Sequence, residues 1–202
     1  MSEIDRLPLG LLGSETGDGS GPLSRLLRDR ALRPVFQPIV SMVDGSIYAH
    51  EALIRGPLGM PLHTPDALLA AARKEGLLLA FEIACVVAAL ERWAALRQPG
   101  RLFVNLSASA LLQWVRTRST EALLDSIRKR GLQPRMLVIE ITEHEQVADI
   151  EALAQVVQQF HAAGVMLALD DFGGGRSSLR LWSELQPDIV KIDKYFTRDL
   201  RG

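Results

Sequence analysis

The chain has 202 residues, 48% hydrophobic and 23% charged, enough for one domain with a sizeable core and short for two. Its 23 Lys+Arg against 24 Asp+Glu leave a formal charge of −1, without the basic excess of a surface that grips a DNA or RNA duplex. A single cysteine, Cys85 in the apolar run 83–87, excludes an internal disulfide framework and a thiolate metal cluster, and reads as a buried, inert thiol.

The N-terminus carries no basic leader with a long apolar core, so it does not read as a secretory signal. Residues 10–22 (GLLGSETGDGSGP) show no hydrophobic period and read as a flexible lead-in, with folding expected from about Leu23. Val35–Val40 is a first short strand, in which Pro38 marks a start or an edge. Ser46–Ile54 alternates as a second. Thr64 and Pro65 start a helix, as N-cap and N1 residues, that stops at Gly76. A second helix runs from about Leu77 to Leu96. Its most apolar part, Leu77–Leu90, is interrupted by Glu82 and too short to span a bilayer, so a soluble, cytoplasmic chain with no membrane segment is expected.

Leu102–Leu106 is a third strand, and Ala110–Arg130 is helical in two pieces ended by Gly131. Leu137–Thr142 is a fourth strand, Val147–Ala163 an amphipathic helix, Val165–Leu169 a fifth strand, Ser177–Leu185 a short helix and Asp188–Ile192 a sixth strand. This alternation predicts an α/β fold on a parallel sheet, either doubly wound or a barrel.

The polar residues late in the strands decide between the two. Glu51, Asn105, Glu140, Asp170 with Asp171, and Lys191 with Asp193 fall at the same end of five consecutive strands, among apolar neighbours. A doubly wound sheet concentrates its site at one switch point, whereas a barrel gathers side chains from many strands into one mouth, so a (β/α)8 TIM-type barrel is predicted. So many carboxylates in one mouth would repel each other without cations, and all-oxygen donors favour Mg²⁺ or Mn²⁺ over zinc. Two such ions suit phosphodiester hydrolysis.

Other signals are weaker. Gly173–Gly175 reads equally as a phosphate cradle or a flexible turn, and Arg55 equally as a phosphate ligand or a surface residue. His50, His63, His144 and His161 lack metal spacing, and Trp93, Trp114 and Trp182 read as core or interface. No Gly-x-Ser-x-Gly elbow supports serine hydrolysis.

Six motifs in order, Phe36–Val40 (FQPIV), Glu51–Arg55 (EALIR), Val104–Ser107 (VNLS), Glu140–Glu143 (EITE), Asp170–Gly173 (DDFG) and Lys191–Asp193 (KID), resemble those of EAL domains, the bacterial phosphodiesterases that open cyclic di-GMP to linear pGpG. The resemblance covers about Pro34 to the C-terminus, and residues 23–202 would form the domain. It implies Glu51, Asn105, Glu140, Asp170 and Asp171 as ligands of two Mg²⁺ or Mn²⁺ ions, with Glu51, Asp170 and Asp171 also counted as catalytic. It further implies Lys191 as holder of the attacking water, Arg55, Gln37 and Asp193 as substrate-binding residues, and Glu143 as a support for the loop after strand five.

Two departures stand out. Gly173-Gly174-Gly175-Arg176 replaces the family's usual Gly-Thr-Gly-Tyr, so altered loop contacts are expected. The family also continues past K-I-D with two further β/α units, one bearing a catalytic Glu. About 180 residues follow the lead-in, against roughly 250 for a barrel, so about six of eight units and impaired turnover are expected. The alternative is an inactive EAL-like module that binds cyclic di-GMP or a partner protein. A second copy of the chain, as a homodimer, would be one way to cover open strand edges.

Overall fold

Helix α1 (Pro22–Arg28) is the first described element of a computed structural model that describes residues 20–97, 100–142, 147–173 and 178–197. Gly21, its N-cap, has no side chain to satisfy the first amides of the helix. Glu75 does so from 52 residues away: its Oε1 accepts from Leu23 N at 2.9 Å and its Oε2 from Ser24 N at 3.0 Å. A carboxylate there also faces the positive end of the helix dipole. Leu23, Leu26 and Leu27, at helical spacing, are buried with Leu68, Ala72, Phe81 and Ala84.

Those partners lie on α2 (Pro65–Lys74) and α3 (Leu78–Leu96), and residues 1–100 form a unit of their own. Thr64 caps α2 as expected, its Oγ1 accepting from Ala67 N at 3.3 Å, with Pro65 at the first helical position. Helix α3 ends at Arg97 in a left-handed C-cap conformation. Cys85, on α3, is part-buried; burial pushes its thiol pKa well up, helped by the nearby charge of Glu82.

The two strands of this unit correct one expectation. β1 (Arg33–Val40) and β2 (Ile47–Arg55) pair antiparallel, so the first pair is a hairpin and not part of a parallel sheet. The reason is the short Ser41–Ser46 connection, which has no room for a crossover helix. It is tied by Ser41 N donating to Ser46 O (2.8 Å) and Gly45 N to Ser41 O (2.9 Å), and Gly45 takes the φ of +72° that the turn requires. Asp44 Oδ1 accepts from both Ser46 N and Ser46 Oγ, which hold its carboxyl below the usual range. Trp93 of α3, 1% exposed, packs against Phe36 of β1 (centroids 5.1 Å) and His50 of β2 (5.2 Å). Trp93, read from the sequence as core or interface, is core.

Residues 101–202 form the second unit. Its described elements are β3 (Arg101–Asn105), α4 (Ala108–Arg118), α5 (Thr120–Lys129), β4 (Leu137–Thr142), α6 (Ile150–Ala162), β5 (Met166–Phe172), α7 (Ser178–Leu185), β6 (Ile189–Ile192) and α8 (Lys194–Thr197). Here the parallel prediction holds: β4 pairs with β3 and β5, and β6 with β5. The helical stretch before β4 is indeed in two pieces. Ser119, at φ +68°, closes α4 through its N–H to Val115 O and caps α5 with its hydroxyl, which accepts from Ala122 N. All but the last residue of β4 is buried, as expected of a parallel strand covered on both faces. At the start of β6, Asp188 donates its N–H to Leu167 O (3.0 Å), accepts from Leu167 N (2.8 Å) and lies 3.0 Å from His161 Nε2, which ties β6 to β5 and α6. Trp114 is buried, whereas Trp182 on α7 is half exposed. Among the described residues, no helix is long and apolar enough to cross a membrane.

Candidate active site

The site in the second unit is built by register. Asn105, the last residue of β3, stands opposite Glu140 of β4, and Thr142 opposite Asp170 of β5. Side chains two apart on a strand share a face, so Glu140 and Thr142 belong to one row. Glu140 is 1% exposed. A carboxylate so buried needs a cationic partner, and Lys191 of β6 supplies it: Nζ donates to Glu140 Oε1 and lies 3.4 Å from Asp170 Oδ1. Three adjacent strands therefore bring two carboxylates onto one ammonium. Glu140, Asp170 and Lys191, all singled out in the sequence, are brought together here.

Asp171 is set by an irregularity. Between Leu169 and Phe172, β5 has one residue more than β6 has between Val190 and Ile192. This is a bulge, and Asp171 sits in it at φ +55°. In a regular strand, consecutive Asp170 and Asp171 would point to opposite faces; the bulge breaks that alternation. Sequence reasoning ended β5 at Leu169, but the strand continues through both acids to Phe172.

Asp193 lies just beyond β6 and already has a structural task. Its Oδ1 accepts from Tyr195 N at 2.6 Å, its carbonyl accepts from Phe196 N at 3.0 Å, and its own N–H donates to Phe172 O at 3.2 Å. Asp193 thus ties the start of α8 to the end of β5, a contribution that its position in K-I-D does not reveal.

In the first unit, Gln37 and Glu51 are directly opposite in the hairpin ladder and share a face of it. Gln37 is exposed and Glu51 part-exposed. Arg55 ends β2, and its Nη1 donates to Ile54 O at 2.8 Å. The loop that follows is closed by Gly56 N donating to His63 O (3.0 Å), with His63 Nδ1 at 3.1 Å from Gly56 O. His63 is therefore structural. Glu143, His144 and Gly174–Arg176 lie outside the described residues, as do residues 1–19 of the lead-in.

The donor chemistry bears on a cation. Among the described residues, no three His, Cys, Asp or Glu side chains gather as a metal site. The point on which Glu140 and Asp170 converge is held by the Lys191 ammonium. Carboxylates drawn to one positive centre are donors that fit a hard divalent ion.

The sequence matches the family model of the EAL domain over residues 21–202. The chain belongs to the EAL domain family. A probable cyclic di-GMP phosphodiesterase of Escherichia coli, PdeB, is 33% identical over 86% of this chain and 34% of its own length. The blue light- and temperature-regulated antirepressor BluF of the same organism is 28% identical over 90% of this chain and 43% of its own. The structure of Klebsiella pneumoniae BlrP1, a manganese/cyclic di-GMP complex, superposes with a TM-score of 0.73 at 30% identity, covering 84% of this chain and 42% of that one. The chain spans less than half the length of each. Its fold class is the α/β, (β/α)8 barrel-type fold of EAL domains, with six strands among the described residues.

Proposed function

We propose that residues 23–202 act as a cyclic di-GMP phosphodiesterase domain, which hydrolyses the cyclic dinucleotide to linear pGpG with divalent cations bound. The observation that carries the reading is the shared ammonium: Lys191 of β6 held by Glu140 and Asp170 of the two preceding strands, in a member of the EAL family. BlrP1, similar to this chain in fold and sequence, is a complex with manganese and cyclic di-GMP.

The residues then take these roles. Glu51, Asn105, Glu140, Asp170 and Asp171 would hold two ions, Mg²⁺ or Mn²⁺. When bound, such ions offset the phosphate charge and lower the pKa of water. Lys191 holds and orients the attacking water: an ammonium carries three rotatable donors, and its contacts with Glu140 and Asp170 fix where Nζ lies. Arg55 engages a phosphate of the dinucleotide, and Gln37 and Asp193 contact the substrate. Glu143 supports the segment after β5. Buried Glu140 has little freedom to move, which keeps Lys191 aligned during in-line attack.

The purified protein, incubated with cyclic di-GMP and Mn²⁺ or Mg²⁺, should give pGpG on anion-exchange chromatography. Glu140→Gln and Lys191→Ala should each abolish it. Absence of pGpG with every divalent ion tried would remove the reading. The resemblance to BluF, named an antirepressor, favours a second reading: a module that binds the dinucleotide or a partner protein without turnover. Binding by calorimetry without hydrolysis would select it.

A further inference from the structure

Five described residues other than glycine have a positive φ: Arg30, Arg97, Ser119, Asp171 and Gln186. Four of them follow the last turn of a helix, where a left-handed residue closes the helix end. Asp171 does not; it is inside β5. A left-handed residue in a strand persists only when its surroundings impose it. Asp tolerates that backbone better than most residues, so the surroundings need supply only part of what holds the bulge.

The turn after β6 supplies that part. The Asp193 bonds to Tyr195 N and Phe196 N form a tight turn, and Asp193 N–H fastens that turn to Phe172 O. The turn lays the Phe196 ring against Gly173, the residue after Phe172. A Cβ at Gly173 would lie 2.8 Å from Phe196 Cε2 and 3.3 Å from Cζ, so the ring occupies the space that a side chain there would fill. Gly173 is also at φ +96°, which L side chains rarely adopt. Tyr195 backs the ring edge-on, with centroids 5.4 Å apart. Phe196 is nonetheless 52% exposed, so burial alone does not account for where it rests.

We propose that Phe196 is a positioning residue for Asp171. Its ring clamps Gly173 from one side while the Asp193 amide holds Phe172 O. Together they keep the Asp171–Gly173 backbone in its bulged form, and so fix the carboxylate of Asp171. The clamp stands on geometry; its effect on turnover rests on the phosphodiesterase reading above.

Two measurements separate the clamp from that reading. Amide hydrogen exchange on the full chain, free of metal and ligand, reports the clamp directly. Phe196→Ala should speed exchange at residues 171–173 about tenfold while β3 and β4 keep their protection, and Phe196→Tyr should restore it. Unchanged exchange at 171–173 overturns the proposal, whatever the activity does. Hydrolysis reports the consequence: with Mn²⁺, kcat should fall about 10- to 100-fold in Phe196→Ala with KM nearly constant, and recover in Phe196→Tyr. Faster exchange in a protein inert with every divalent ion leaves the clamp standing and removes the phosphodiesterase reading.

A second variant covers the case in which Phe196→Ala fails to fold. Gly173→Ala presses a methyl group into the same ring, at a φ that already disfavours a side chain, and should speed exchange at 171–173 with Phe196 in place. Unchanged exchange in Gly173→Ala would overturn the contact.

Discussion

The hairpin of the first unit and the parallel strands of the second carry polar residues in opposite ways. In the hairpin, Gln37 and Glu51 face each other on a ladder with at least one solvated face, and neither is fully buried. In the parallel set, Glu140 is enclosed and Lys191 reaches it from two strands away. An antiparallel pair can leave one face to water, whereas parallel strands are covered on both. A charge on the first can reach water; a charge on the second must be met by partners within the protein. The hairpin is held by aromatic packing, the parallel strands at this point by an ion pair.

The largest effect should come from removing the packing that holds the hairpin. Trp93→Ala deletes a side chain that is 1% exposed and touches both strands, and should cost about 4 kcal/mol in urea unfolding. Next is the ion pair. Lys191→Met takes the ammonium from the buried Glu140 carboxylate and should cost about 3 kcal/mol at pH 7, the low end for a buried pair because Lys191 is itself part-exposed. A cost below about 1 kcal/mol, the range of surface ion pairs, would end the contrast between the two regions.

Smaller changes sharpen it. Thr64→Ala removes the cap of α2 and should cost about 1 kcal/mol, without touching either set of polar residues. Glu51→Gln should change stability by less than about 0.5 kcal/mol, as for an ordinary surface substitution, while abolishing pGpG formation. A large loss of stability there would mean that Glu51 is as dependent on its surroundings as Glu140. Finally, the raised pKa of Cys85 leaves less thiolate at pH 8 than a free cysteine has. Labelling of the native thiol should be slow and should become fast on unfolding.

Much of this was legible in the sequence where the cause is local. Thr64-Pro65 announces the start of α2, β4 falls on Leu137–Thr142, and the six strands appear in order because each carries its own apolar run. The antiparallel hairpin was legible too, in Asp44-Gly45, a turn signal between two strands with no helical stretch between them; strand–helix alternation further along the chain outweighed it. What the sequence could not show depends on distant partners. The pairing of Lys191 with Glu140 spans 51 residues. The bulge at Asp171 depends on which residue of β6 lies beside it, and strand parity alone assumes that no such extra residue exists. Leu23, Leu26 and Leu27 have the spacing of a helix, but seven residues are too few to stand out from a Gly-rich approach.

That short helix carries a consequence for the order of assembly. Seven residues are marginal as an isolated helix, and the side chain that satisfies the first amides of α1 belongs to Glu75. During synthesis α1 therefore emerges well ahead of its own cap. Until α2 has formed and brought Glu75 round, Leu23, Leu26 and Leu27 have no surface to pack on. The first described element is among the later ones to become secure, and it is fastened from behind.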